Sequence, residues 1–394
     1  MAQRASRPSG GSAFGRTGGG GPVARPREGI ISGYLLKLIR QSAGLSQEAL
    51  AELVGVDSNT VQGWESGRRA LTGTRVGTLV QLRHRLRRHG ADPELLAVVD
   101  DAAEADYVLS YALTTEPTEL RPAEHLLTSW VLKRSFAYML AWPFTGRPPV
   151  SLNAPAVRHG PSADAPVLTA AEKARFFDHL RLTAERSLID RGLDEASGTL
   201  LRRNIYYPLS WHSSTDTAAW LQEMKQREER RLGRLDTWSP RWVAARSLVV
   251  ARARQGDKEP LRHFIRTAIS SDACQAAGLN YDAYWIGATP QTYRSDEFMA
   301  RDLEPWVGES LLRRFTASLV ASEPLADLYV HSTWALVQRR GRVLEKDHKL
   351  AAELLARVEA LACEGDLSAQ SRTELEQVHY GVRLFVSRSQ PVAR

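Results

Sequence analysis

The sequence predicts an all-α protein, and three observations carry that prediction. Apolar residues recur at spacings of three and four through most of the chain, no stretch alternates apolar and polar residues as a half-buried strand would, and clusters of Gly and Pro separate the periodic segments. With 394 residues, 43% hydrophobic and 25% charged, the chain has an ordinary globular composition and room for more than one domain.

Taken in order, residues 1–27 are a Gly-, Arg- and Pro-rich tail expected to be disordered. Residues 28–90 read as short amphipathic helices carrying Leu35, Leu38 and Ile39, then Leu50 and Leu53, then Val61 and Trp64, then Leu79, Leu82 and Leu86. A helical connector follows over 91–142, with periodicity in 93–113 and 122–142. The stretch 143–168, containing Pro143, Pro148, Pro149, Pro155, Pro161 and Pro166, reads as a linker or long loop. Residues 169–394 form an all-helical region expected to sense a signal or to oligomerise, with helices over 170–191, 216–232, 240–254, 260–269, 305–320, 324–339 and 344–362. Ser247–Gly256 and Ser332–Gly341 share a basic helix end, so the region admits a helical-repeat array, although the tetratricopeptide spacing is absent.

The net charge of +7 is unevenly placed: residues 1–90 hold 14 Lys/Arg against 5 Asp/Glu, and the remainder is slightly acidic. A basic head on a near-neutral body points to a polyanionic partner, with a solvated basic tail as the rival reading. No apolar run is long enough to span a bilayer and the N-terminus lacks the apolar core of a signal peptide, so a cytoplasmic protein without a membrane partner is expected. Cys274 and Cys363 are too few for a disulfide framework or a thiolate zinc site. His84 and His89 are five apart and so diverge around a helix. No glycine-rich phosphate loop or Gly-x-Ser-x-Gly motif occurs, and the adjacent carboxylates Asp100-Asp101 and Glu228-Glu229 read as solvated faces. Neither enzyme activity nor a metal or cofactor is expected.

The informative stretch is 32–70. Ser46 is placed to cap a short helix carrying Leu50 and Leu53; Gly55 suits the left-handed turn that ends it, with Val56 tucking back into the core. Asp57 caps the next helix, whose inner side is Val61 and Trp64 and whose outer side shows Ser58, Asn59 and Gln62. Gly63 in mid-helix costs about 1 kcal/mol relative to Ala, which leaves two readings: a close backbone approach to a ligand, or a marginal helix ordered by the core.

Two short helices joined by a tight turn, with Leu45-Ser46-Gln47, Leu50-Ala51, Gly55-Val56, Thr60-Val61, Trp64-Glu65 and Gly67-Arg68 in register, resemble the helix-turn-helix of the Cro/repressor, or XRE, family. The resemblance covers about 60 residues. It implies a lambda-repressor-like domain of five helices whose third helix enters the DNA major groove. Base reading would fall to Ser58, Asn59 and Gln62, since Asn and Gln pair bidentately with adenine. Phosphate contacts would fall to Gln47, Thr60, Arg68 and Arg69, and a buried pair to Arg40 and Glu65. Arg75, Arg83, Arg85, Arg87 and Arg88 follow on a helix whose buried side is Leu79, Leu82 and Leu86; DNA contact and mere solvation both remain open for them. Arg25 and Arg27 stand where an arm could reach the minor groove.

In the C-terminal region Tyr281, Tyr284 and Trp285 share one helical stripe. It serves either core packing or an aromatic pocket for a small molecule or peptide, with polar tips at Tyr206, Tyr207, Trp211 or His212. Together these readings predict a sequence-specific transcriptional regulator that binds double-stranded DNA as a homodimer and becomes nucleoid-associated when bound. The alternatives are a DNA-localised adaptor with a protein partner, a helix-turn-helix used for protein contact alone, and a receptor for a peptide or small-molecule effector.

Overall fold

A computed structural model describes residues 28–149, 152, 165–229, 237–302, 306–345 and 347–389. The tail 1–27, with Arg25 and Arg27, and most of the proline-rich stretch 143–168 lie outside the described residues, which contain no strand. The N-terminal helices are α1 (Ile30–Ser42), α2 (Gln47–Val54), α3 (Ser58–Glu65) and α4 (Val76–Arg88), with a 3-10 turn at Leu71–Gly73. Where five helices were implied, the described part of 28–90 therefore holds four α-helices, and the next, α5 (Pro93–Ala97), begins beyond residue 90.

The body continues with α6 (Val99–Thr114), α7 (Arg134–Thr145), α8 (Ala170–Ser187), α9 (Glu195–Leu209), α10 (Thr215–Glu229) and α11 (Pro240–Arg254). It ends with α12 (Glu259–Ala268), α13 (Asp272–Trp285), α14 (Gly308–Ser318), α15 (Ala326–Arg339), α16 (His348–Glu364) and α17 (Ala369–Ser389). Local chemistry starts most of these helices. A reciprocal Thr169–Glu172 capping box opens α8, Asp194 caps α9, Ser239 with Pro240 opens α11, Ser271 caps α13 and Asp347 caps α16.

The structure departs from the sequence expectation at the start of α7, at the unexpected helices α9 and α17, and at Glu228. The helix expected over 122–142 begins only at Arg134, and short 3-10 turns precede it. There the backbone is satisfied by side chains: His125 Nδ1 accepts the Leu127 N–H, and Asn204 Nδ2 donates to the carbonyls of Leu127 and Trp130. No helix was expected at α9, because Arg202, Arg203 and Asn204 interrupt its apolar pattern; all three are buried and bonded inside the body. Glu228, read as part of a solvated face, is likewise buried, in an ion pair of 2.6 Å with Arg202 Nε.

The packing that positions the N-terminal helices centres on α1, buried from Ile30 through Arg40. One side lies on α3 and the other on α6 and α7, where Tyr34 meets Trp142 edge-on at 5.3 Å. A continuous apolar cluster runs from Ile30 to Ala251 and so joins the N-terminal helices to the body. Two further clusters fill the C-terminal half. No described helix is long and apolar enough to cross a membrane.

Candidate nucleic-acid interface

Short-range bonds build the segment 46–66. Ser46 Oγ accepts the Ala49 N–H at 3.1 Å and starts α2. Gly55 ends it at φ 78°, with its own N–H on Glu52 O and the Val56 N–H on Ala51 O, a Schellman turn that any side chain with a Cβ would strain. Val56 packs against the core behind the turn. Asp57 then accepts from the Thr60 N–H (2.9 Å) and the Thr60 hydroxyl (2.7 Å), which hold its carboxyl below the usual range. These two caps fix where α3 begins and how it is rotated. Val61 and Trp64 turn into the core, and Ser58, Asn59 and Gln62 stand exposed along the opposite edge.

A second layer of bonds locks α3 to its neighbours. Glu65 receives Arg40 through two bonds, Nε at 2.6 Å and Nη2 at 3.1 Å, and Arg40 Nη1 also reaches Leu45 O at 2.7 Å. One guanidinium thus ties the end of α1, the start of α2 and the end of α3 together, in a geometry that only the planar Arg fork provides. Gln47 joins the same lock, donating from Nε2 to Glu65 at 2.6 Å. A phosphate bond from Gln47 would use its second amide hydrogen or the unpaired N–H groups at the start of α2. Close backbone approach seats α1 on α3: a Cβ on Gly33 would stand 2.0 Å from Trp64 O.

The basic candidates divide into two groups. Arg69 Nη1 donates to Thr60 Oγ1 at 2.9 Å, and its stem lies over Gly63, whose Cβ would meet Arg69 Cδ at 3.1 Å. Gly63 is therefore a buried seat for Arg69, and neither of the two sequence readings of this glycine anticipated that contact. Arg68 is exposed and donates only to Ser66 Oγ. On α4, Leu82 and Leu86 are buried; Arg83 pairs with Asp100, Arg85 donates to Leu53 O, and Arg75, Arg87 and Arg88 are exposed.

One residue that seats α1 left no mark in the sequence pattern. Asp106 on α6 caps α1 from a distance, accepting the Ile31 N–H at 2.9 Å and the Ser32 N–H at 2.8 Å. Burial pushes its carboxyl up to about 6 against the pull of these bonds. An acid 75 positions from the N–H it caps leaves no local signal. Among the described residues no group of three or more His, Cys, Asp or Glu is arranged to hold a metal ion.

Two short helices across a left-handed glycine turn, the second with one edge in the core and an amide-bearing edge in solvent, define a helix-turn-helix. Residues 36–82 match the model of the helix-turn-helix family, and this segment is a helix-turn-helix domain of the Cro/repressor, XRE-like type. The remainder of the chain is unassigned. No curated protein and no solved structure matches the chain.

Proposed function

We propose that this protein is a sequence-specific DNA-binding transcriptional regulator that acts by occupying an operator. The observation that carries the reading is the division of α3 into a buried edge, Val61 and Trp64, and an exposed edge, Ser58, Asn59 and Gln62. An α-helix fits the major groove, and Asn and Gln at its N-terminal end pair with adenine edges. Thr60, Arg68, Arg69 and the start of α2 with Gln47 hold phosphates on either side of that helix. The residues Arg40, Glu65, Gly55, Val56, Val61 and Trp64 keep α3 in place and make no DNA contact.

A single eight-residue reading helix gives limited discrimination, so the regulator binds as a homodimer on an inverted repeat, with half-sites one DNA turn, about 34 Å, or a multiple apart. The body, in which helices pack mainly on near neighbours such as α8 on α9 and α16 on α17, supports an array of helical hairpins serving dimerisation or signal sensing. The test is selection of the full chain against randomised duplex DNA. The reading expects a two-fold symmetric motif with A·T pairs in each half-site and affinity that falls steeply with salt. Recovery of no motif, together with salt-insensitive binding, contradicts it.

A further inference from the structure

A narrow cleft, with a cavity volume of about 70 Å³, lies between α9, α11, α13, α14 and α15. Its wall draws on all three apolar clusters, through Leu132, Phe315 and Leu328 among others. Four guanidiniums face this space, those of Arg203, Arg246, Arg254 and Arg314, against one carboxylate, Asp282. Two of the four are neutralised: Arg203 pairs with Asp296 behind the wall, and Arg246 Nη2 lies 2.9 Å from Asp282 Oδ1.

Among the described residues the other two, Arg254 and Arg314, form no ion pair with a carboxylate, although Asp282 also feels the charge of Arg314. Arg254 donates to Ser210 Oγ at 3.0 Å and stacks on Tyr207 and Trp211, at 4.8 and 5.2 Å from the ring centres. Arg314 lies over the Tyr329 ring at 5.7 Å and makes a bond of 3.4 Å to its hydroxyl. Glu323, whose charge Tyr329 also feels, accepts the Leu325 N–H. An arginine does not shed its proton, so two unpaired guanidiniums in a half-enclosed wall leave a standing positive field that an entering anion relieves.

The rest of the wall is flat and aromatic. Tyr281 and Trp285, one helical turn apart, stack with ring centres 6.1 Å apart, and Tyr207 meets Trp285 at 5.0 Å. Tyr284, expected in the same stripe, turns away and donates to Val131 O at 2.6 Å; His212 stacks on Phe177 outside the cleft. The buried Tyr207 Oη has no partner at hydrogen-bonding geometry.

We propose that this cleft binds a small molecule carrying a carboxylate or a phosphate on a flat apolar body, with Arg254 and Arg314 taking the anion and Tyr207, Tyr281 and Trp285 the ring. The claim deepens the signal-sensing part of the reading above, but binding is measured without DNA, so either can fail alone.

The test titrates the full chain, free of DNA, with phenyl phosphate, benzoate, inorganic phosphate, benzyl alcohol and an unmodified aromatic tripeptide, followed by ligand-observed NMR and Trp fluorescence. The proposal expects saturable binding of phenyl phosphate or benzoate, at least tenfold weaker in Arg254→Gln and in Arg314→Gln and unchanged in Arg313→Gln. Competition by inorganic phosphate assigns the anion as a phosphate, and binding of benzoate without such competition assigns a carboxylate. Circular dichroism of the variants separates lost binding from lost folding, and Arg314→Gln, whose side chain makes the fewer contacts, serves where Arg254→Gln unfolds. Three results overturn the proposal: neither aromatic anion binds, benzyl alcohol binds as well as they do, or their binding survives both substitutions. Tripeptide binding tenfold tighter than phenyl phosphate, and lost in the same variants, replaces the small molecule with a peptide.

Discussion

The helix-turn-helix and the body place their polar groups in opposite ways. In residues 46–66 the polar bonds are short in sequence and open to solvent, such as Ser46 on Ala49 and Asp57 on Thr60, each three positions apart. Glu65 is the exception: its bonds with Arg40 and Gln47 span 25 and 18 positions and lie largely inside. The body has local caps too, but its buried ion pairs are long in sequence: Arg202–Glu228, Arg203–Asp296 and Arg246–Asp282 span 26, 93 and 36 positions. The first arrangement leaves one helix edge with nothing to satisfy internally, as a surface that reads another molecule requires. The second commits buried charges to fixing which helices meet, and two guanidiniums outside those pairs, Arg254 and Arg314, face a cleft.

Removing one partner of a buried pair tests the contrast most strongly. Arg203→Met leaves Asp296 unpaired in a site where each side chain is at most 3% exposed, and is expected to cost about 3–5 kcal/mol in urea unfolding. Adding Asp296→Leu should recover most of that loss, whereas a double variant as unstable as the single one would show that packing, not charge, dominates there. Gly33→Ala comes next. The added methyl group collides with the Trp64 carbonyl and forces α1 off α3, at a cost of about 3 kcal/mol and with loss of DNA binding; a stable variant with intact binding would mean that α1 is not seated as described.

The body should also be the acid-sensitive part. Burial holds His125 down to about 3 and His179 down to about 4, with the His179 ring and the Arg175 charge, respectively, adding to the effect. The unfolded chain protonates these rings near pH 6.5, so it binds protons that the folded chain refuses, and the stability they contribute above pH 6.5 is lost as the pH falls toward 4. Asp106, raised to about 6, works the other way: its contribution is present below about pH 4 and is lost as the pH rises through 6. The two histidines therefore add to any loss of stability between pH 7 and pH 5, so the urea midpoint should fall less over that range in His179→Phe than in the parent. An equal slope in that variant would remove His179 from the account. Asp57→Ala, with the smallest effect, should cost about 1 kcal/mol and fray only the start of α3, seen as faster amide exchange at Thr60.

These differences explain what the sequence made legible. Caps, a left-handed glycine and a three-four apolar spacing are complete within a few residues, so α2 and α3 and their exposed edge were readable from 46–66 alone. Asp106 was not, because the N–H groups it caps lie on another helix. α9 was missed because its buried side chains are charged and find partners far along the chain, which erases the apolar period that marks a helix. Gly63 looked like a defect until the fold laid Arg69 across it.

The central claim is that the outward edge of α3 reads bases, and the most direct measurement is discrimination between the selected operator and scrambled DNA for the full chain, Asn59→Ala and Gln62→Ala. The account predicts that each substitution lowers discrimination by about 1–3 kcal/mol while the unfolding midpoint stays within about 0.5 kcal/mol of the parent. Discrimination equal to the parent's in both variants, with folding intact, would contradict it.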